Sequence, residues 1–252
     1  MKFTRRDFCT IAGSAMGSLT VGSACRRIGG AAIKTDGRLS ARPHDGVKTR
    51  GAGRTKLGLD SRRDAILDLP KNANLSPLPL LVMLHGATQT ADDMFWYLGS
   101  AGEETGVAVL APNARDTTWD AITDSFGPDV DFLDRALERV FDSVAIDSSR
   151  IAVGGFSDGA SYALSLGLIN ADLFRSVLAF SPGFIVEGAL YGKPRFFISH
   201  GTHDHILPID SCGRRVATGL KAQGYDVTFR EFDGDHEIPP EVAREGLAWI
   251  SK

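Results

Sequence analysis

A chain of 252 residues, 43% hydrophobic and 23% charged, has room for one large domain and the composition of an ordinary globular protein. Its formal charge of −3 excludes a general attraction to nucleic acid or to acidic membranes. Three cysteines, Cys9, Cys25 and Cys212, exclude a disulfide framework, because two lie in the N-terminal segment and removal of that segment leaves Cys212 alone.

Residues 1–24 read as an address. Thr4-Arg5-Arg6-Asp7-Phe8 precedes a weakly apolar, Gly/Ala/Ser-rich run from Ile11 to Ala24, which is the order of a secretory signal: positive, apolar, small. The arginine pair followed by Phe8 is similar to the twin-arginine signal, whose cargo crosses the membrane folded; Cys9 and Thr10 depart from the usual continuation. The run is too short and too Gly-rich to span a membrane. Cys25, after Gly22-Ser23-Ala24, permits either cleavage after Ala24 or lipid attachment at Cys25. Gly22 stands where a lipobox carries Leu, which favours plain cleavage. The expectation is an exported, periplasmic or extracytoplasmic protein that meets the membrane only through a lipid anchor at Cys25, if at all.

Residues 25–56, rich in Gly, Arg and Lys and without apolar periodicity, predict a flexible basic linker. From 57 to 252 the pattern is that of one α/β domain. Ala65–Leu69, Leu80–Leu84 and Val107–Ala111 are short apolar runs ending at Pro70, His85-Gly86 and Pro112, as strands do. Phe132–Phe141 has helical apolar spacing. Ile151–Val153 reads as a strand, Ala160–Ile169 as an apolar helix, and Val177–Phe180 and Phe196–Ile198 as buried strands. A helix from about Cys212 to Gln223, a strand Val227–Phe232 and a helix Glu241–Ile250 follow. This alternation predicts a mostly parallel central sheet with helices on both faces.

Gly155-Phe156-Ser157-Asp158-Gly159 is a G-x-S-x-G match lying directly between a strand and a helix. That context makes a sharp turn that lifts Ser157 to the C-terminal end of the sheet, at a helix N-terminus able to stabilise negative charge. A serine hydroxyl needs a base, and the base an orienting acid, supplied in the order Ser, acid, His on loops after later strands. Asp204 follows the Phe196–Ile198 strand and His236 follows the Val227–Phe232 strand. His200 precedes Asp204, the wrong order for the base. His203 and His205 read as rim or solvent residues, Asp210 as a helix cap with Ser211, and Asp233 and Asp235 as turn residues. The spacing of His200, His203 and His205 does not support a metal site. Backbone N–H groups of Asp158 and of Ala87, in the loop after Leu84-His85-Gly86, are the candidate oxyanion donors. Phe95, Trp96 and Trp119 are as consistent with core as with pocket walls.

Leu84-His85-Gly86, Gly155-Phe156-Ser157-Asp158-Gly159, His200-Gly201-Thr202-His203-Asp204 and Asp235-His236 together resemble the phospholipase/carboxylesterase family of α/β-hydrolases. Asp129-Val130-Asp131-Phe132 and Ile146-Asp147-Ser148-Ser149-Arg150-Ile151 are similar to polyhydroxybutyrate depolymerase and feruloyl-esterase relatives. The resemblance implies the α/β-hydrolase fold and hydrolysis of a small-molecule carboxylic ester. It also implies an acyl-serine intermediate, with Ser157, Asp204 and His236 as triad and no cofactor. Thioester hydrolysis or acyl transfer on the same triad is one alternative, and a non-catalytic envelope binding protein is another. A dienelactone-hydrolase-like enzyme would need Cys at position 157.

Overall fold

The computed structural model describes residues 35–49, 51–186 and 188–251. The expected signal segment 1–24 and Cys25 lie outside the described residues. Eight strands form a single sheet: β1 (Gly53–Lys56), β2 (Ala65–Leu69), β3 (Leu78–Leu84), β4 (Ala108–Pro112), β5 (Ile146–Phe156), β6 (Ser176–Phe180), β7 (Arg195–Gly201) and β8 (Val227–Phe232). Their order is β1-β2-β4-β3-β5-β6-β7-β8. β1 pairs with β2 and β2 with β4 antiparallel, and every pairing from β4 to β8 is parallel. The helices are α1 (Ala91–Leu98), α2 (Ala101–Thr105), α3 (Asp120–Thr123), α4 (Pro128–Ser143), α5 (Asp158–Ile169), α6 (Gly213–Ala222) and α7 (Pro240–Ile250). None of the helices among the described residues is long and apolar enough to cross a membrane.

Parallel strands covered on both faces bury every side chain, which explains the apolar runs of β3 and β4 and of Val177–Phe180 in β6. Alternate residues serve two cores. Leu80, Val82, Val153, Phe196 and Ile198 pack with α4, α5 and α6 on one face. Leu81, Met83, Ala152 and Phe197 pack with α1 and α7 on the other. The helix α5 is apolar on all sides because it is buried along nearly its whole length.

The linker expected over 25–56 does not hold for the part that is described. Residues 35–49 lie as a strap across α4 and the end of α5, with Leu39 and Ala41 buried. Asp134 accepts the Ser40 N–H at 2.7 Å and the Ala41 N–H at 2.8 Å, together with the Ser40 hydroxyl. Asn170 accepts the Leu39 N–H at 2.9 Å and donates to Gly37 O at 2.8 Å. Arg38 and Arg42 both pair with Asp172. The strap is held by side chains satisfying its backbone, which needs no apolar period of its own. β1 belongs to the sheet, so the folded domain also begins before residue 57.

Candidate active site

Ser157 sits alone between β5 and α5 with φ 56° and ψ −118°. That region costs a residue with a Cβ about 1–3 kcal/mol and persists only where surroundings enforce it. Here the enforcement is close packing. A Cβ on Gly155 would lie 2.3 Å from the Gly159 carbonyl, and one on Gly159 would lie 2.2 Å from Leu84 O. The turn is pinned by Ser157 N–H donating to Phe180 O at 3.0 Å. Ser157 O in turn accepts the N–H groups of Ala160 and Ser161.

Two later strands deliver an acid and an imidazole to this end of the sheet. Asp204, in the loop after β7, has a fully buried carboxylate. Its Oδ1 accepts the N–H groups of Ile206 at 3.0 Å and Leu207 at 2.7 Å. Its Oδ2 lies 2.7 Å from His236 Nδ1, in the loop after β8. With Nδ1 donating to the carboxylate, Nε2 of His236 is the nitrogen free to accept a proton. The imidazole rests on Phe156, the residue before Ser157, with ring centroids 4.7 Å apart. Asp235 is more than a turn residue: its Oδ1 accepts the His236 N–H at 2.8 Å and lies 2.7 Å from His205 Nδ1.

The rival residues fall elsewhere. Asp210 does not cap α6 but pairs with Arg214, one helical turn on, at 2.8 Å on the surface. His203 and His205 are exposed and pair with Asp233 and Asp235. His200 is buried and turns inward, its Nε2 2.7 Å from Leu207 O and 3.1 Å from Asp204 Oδ2. Burial holds this imidazole below the usual histidine range. The three histidines therefore diverge, and the described residues contain no group of His, Cys, Asp or Glu arranged to hold a metal ion. Sequence order set His200 aside as a base. Its place four residues before Asp204, at a strand end, is the signal for a contact with the acid.

The loop after β3 lies against the serine: a Cβ on Gly86 would stand 3.3 Å from Ser157 Cβ. The amides flanking Ala87 are committed, Gly86 N–H to Gln89 Oε1 at 2.9 Å and Thr88 N–H to Thr117 O at 2.7 Å. His85 is buried, and its Nε2 accepts the Ala114 N–H at 3.0 Å, so its Nδ1–H donates to Gly86 O at 2.8 Å. Because the N–H of a trans peptide points opposite to its C=O, that bond fixes the direction of the Ala87 N–H. Trp119 Nε1 holds His85 O at 2.8 Å from the other side. Asp158 occupies the first position of α5, where helix N–H groups have no intrahelical acceptor.

Of the three aromatic residues considered as pocket walls, Trp119 and Phe95 are core and Trp96 is 78% exposed. Trp96 meets Tyr97, Tyr97 meets Phe156, and Phe156 meets His236, so an aromatic row runs from the surface to the imidazole. Behind Trp119, Tyr162 donates to Asp120, and Asp120 and Asp129 each accept the other's backbone N–H. Burial, then the neighbouring Asp120 charge, pushes the Asp129 carboxyl up to about 6.

A serine at positive φ between a parallel strand and a buried helix, on a sheet of this order, defines an α/β-hydrolase. Residues 107–252, more than half of the chain, match the Phospholipase/Carboxylesterase family, and the chain belongs to that family. It is 26% identical to feruloyl esterase C of Emericella nidulans over 179 residues, covering 61% of this chain and 65% of that protein. It is 30% identical to a probable feruloyl esterase C of Aspergillus niger over 159 residues, covering 59% of this chain and 57% of that one. The chain thus spans less than two thirds of the length of either relative. Among solved structures, the fluorophosphonate-binding serine hydrolase F of Staphylococcus aureus superposes with a TM-score of 0.64 at 16% identity, covering 80% of this chain and all of that one. That likeness is one of fold.

Proposed function

We propose that this chain is an exported serine esterase that hydrolyses a small carboxylic ester through an acyl-serine intermediate. The observation carrying the reading is the strained Ser157 next to Phe156, on whose ring rests the imidazole that the buried Asp204 holds. In this reading His236 Nε2 takes the Ser157 proton as the hydroxyl oxygen attacks the ester carbonyl. The C=O π electrons move onto the oxygen, where the N–H groups of Ala87 and Asp158 receive the charge. Collapse expels the alcohol, which takes the proton from His236. Water then attacks the acyl-serine by the same path, releasing the acid and restoring Ser157. Asp204 holds the imidazole in the Nδ1–H tautomer and stabilises the imidazolium. No cofactor enters.

The test is labelling with a fluorophosphonate probe and turnover of p-nitrophenyl esters and thioesters of increasing acyl length. Ser157→Ala should abolish labelling, and Ser157→Ala or His236→Ala should lower kcat by about 10⁴–10⁶, the double variant faring little worse. Turnover that persists in Ser157→Ala would overturn the reading. The ratio of ester to thioester rates decides which acyl compound is preferred.

Export rests on the Arg5-Arg6-Phe8 signal pattern. Replacing Arg5 and Arg6 by Lys should leave unprocessed precursor in the cytoplasm, and normal processing of that variant would exclude the twin-arginine route. A lipid at Cys25 would put the mature protein in the detergent phase and Cys25→Ala in the aqueous phase.

A further inference from the structure

We propose that His200 is a positioning residue for the hydrolytic site, gripping both the turn that carries Asp204 and the carboxylate oxygen that orients His236. The inference rests on the esterase reading of Ser157, Asp204 and His236.

His200 lies on β7 with no exposed surface. Two acceptor oxygens face its Nε2, Leu207 O at 2.7 Å and Asp204 Oδ2 at 3.1 Å. A lone pair on Nε2 would repel both, so the hydrogen resides there and Nδ1 is bare. Nδ1 makes no hydrogen bond, a cost that a purely apolar residue would avoid. The N–H points along Leu207 O and presents its positive end to Oδ2. Leu207 is thereby held at both ends, its N–H on Asp204 Oδ1 and its C=O on His200. The turn 204–207 can neither open nor rotate the carboxylate while that clamp is closed.

The neighbouring helix is built to admit the ring. A Cβ on Gly213, the first residue of α6, would stand 2.5 Å from His200 Nδ1 and 2.8 Å from its Cγ. Gly213 has no positive φ, so glycine is required there for space and not for conformation. A smaller apolar residue at position 200 would not need that concession.

His200 and His236 thus approach the same oxygen of Asp204 from two sides. If His200 is removed, the charge on Oδ2 acts on His236 alone. That favours the imidazolium, which cannot act as a base, and leaves the turn free to move. The other ionisable groups nearby are Asp235, on the His236 backbone, and Glu231 of β8, paired with Arg214 of α6. All are retained in the variants below.

His200→Leu keeps the bulk and loses the donor. It should lower kcat on a p-nitrophenyl ester about 10- to 100-fold, the scale of a small misplacement of a reacting group, with KM unchanged. The acidic limb of its kcat/KM–pH profile should move to higher pH. His200→Gln returns an amide N–H near the Nε2 position and should restore most of kcat and the limb. Gly213→Ala keeps the imidazole but crowds its Nδ1 edge, so the ring must shift from its place on Leu207 O and Asp204. It should lower kcat in the same direction, which keeps the test open if His200→Leu does not fold. Proton NMR provides a readout independent of turnover: the downfield Nδ1 hydrogen between His236 and Asp204 should shift or broaden in His200→Leu and return in His200→Gln. A purely structural role would lower Tm and leave the pH limb and this resonance unmoved, and that result overturns the inference. Wild-type protein that neither takes the fluorophosphonate label nor turns over ester defeats the esterase reading, while the resonance still reports whether His200 is coupled to the Asp204–His236 pair.

Discussion

Replacing Gly159 by Ala tests how closely the serine turn depends on the end of β3. The new methyl carbon would lie 2.2 Å from Leu84 O and 2.5 Å from His85 O, where real contacts need at least 3.0 Å. Both partners are backbone, so α5 and the β3 end must separate by about 1 Å, and no flexible side chain can absorb the strain. Overpacking of this kind costs about 3 kcal/mol, at the upper end of the usual range. For a domain of this size that is a fall in Tm of about 6–12 °C. His85 O is also the acceptor of Trp119, so its displacement carries the Gly86–Ala87 peptide away from Ser157. Loss of one oxyanion donor lowers kcat about 10²–10³-fold, and the ground-state ester makes little use of that donor, so KM should hardly change. The assay is calorimetric Tm together with kcat for p-nitrophenyl acetate, normalised to active sites titrated by fluorophosphonate. A variant as stable and as active as the parent would refute the reasoning from packing to oxyanion geometry.

Three further outcomes are expected. Asp204→Asn should lower kcat by about 10⁴, through loss of the orienting charge, whereas Asp210→Asn, which loses only a surface pair with Arg214, should be nearly neutral in the same assay. Asp129, raised in the folded state from 3.8 to about 6, binds its proton more tightly folded than unfolded. Its contribution of about 3 kcal/mol is therefore fully present below about pH 4 and lost as the pH rises through about 6. Urea unfolding of Asp129→Asn should show a flatter stability curve over that window, and an unchanged slope would refute the assignment. Asp134→Ala strips the strap of its acceptors for Ser40 and Ala41, and trypsin should then cut after Arg38 while leaving the parent intact there.

Strands buried on both faces announce themselves as apolar runs, which is why β3, β4, β6 and β7 were legible from residues alone. β5 runs from Ile146, not from Ile151, because Asp147–Arg150 leave the core and interrupt the run while the backbone continues. β1, with the sequence Gly-Arg-Thr-Lys, carries no apolar signal: it is an exposed edge strand specified by its pairing with β2. α1 has no counterpart among the elements expected from the sequence, although Thr90 and Asp93 form a capping box at its start. At the site, G-x-S-x-G and the order of Asp204 and His236 could be read because loop positions after strands follow from topology. The contacts of His200 and Asp235 depend on side-chain directions within two turns, which order along the chain does not encode.

The strap over α4 and α5 has a consequence for the order of assembly. Its partners Asp134, Asn170 and Asp172 lie far along the chain from Arg38, Leu39 and Ser40, so docking closes a loop of more than ninety residues. During synthesis from the N-terminus, these residues leave the ribosome long before any of their acceptors exist. The strap therefore docks only after the α4–β5–α5 unit has formed. The first described segment to be made is among the last to be secured, and its protection from hydrogen exchange should appear late in refolding.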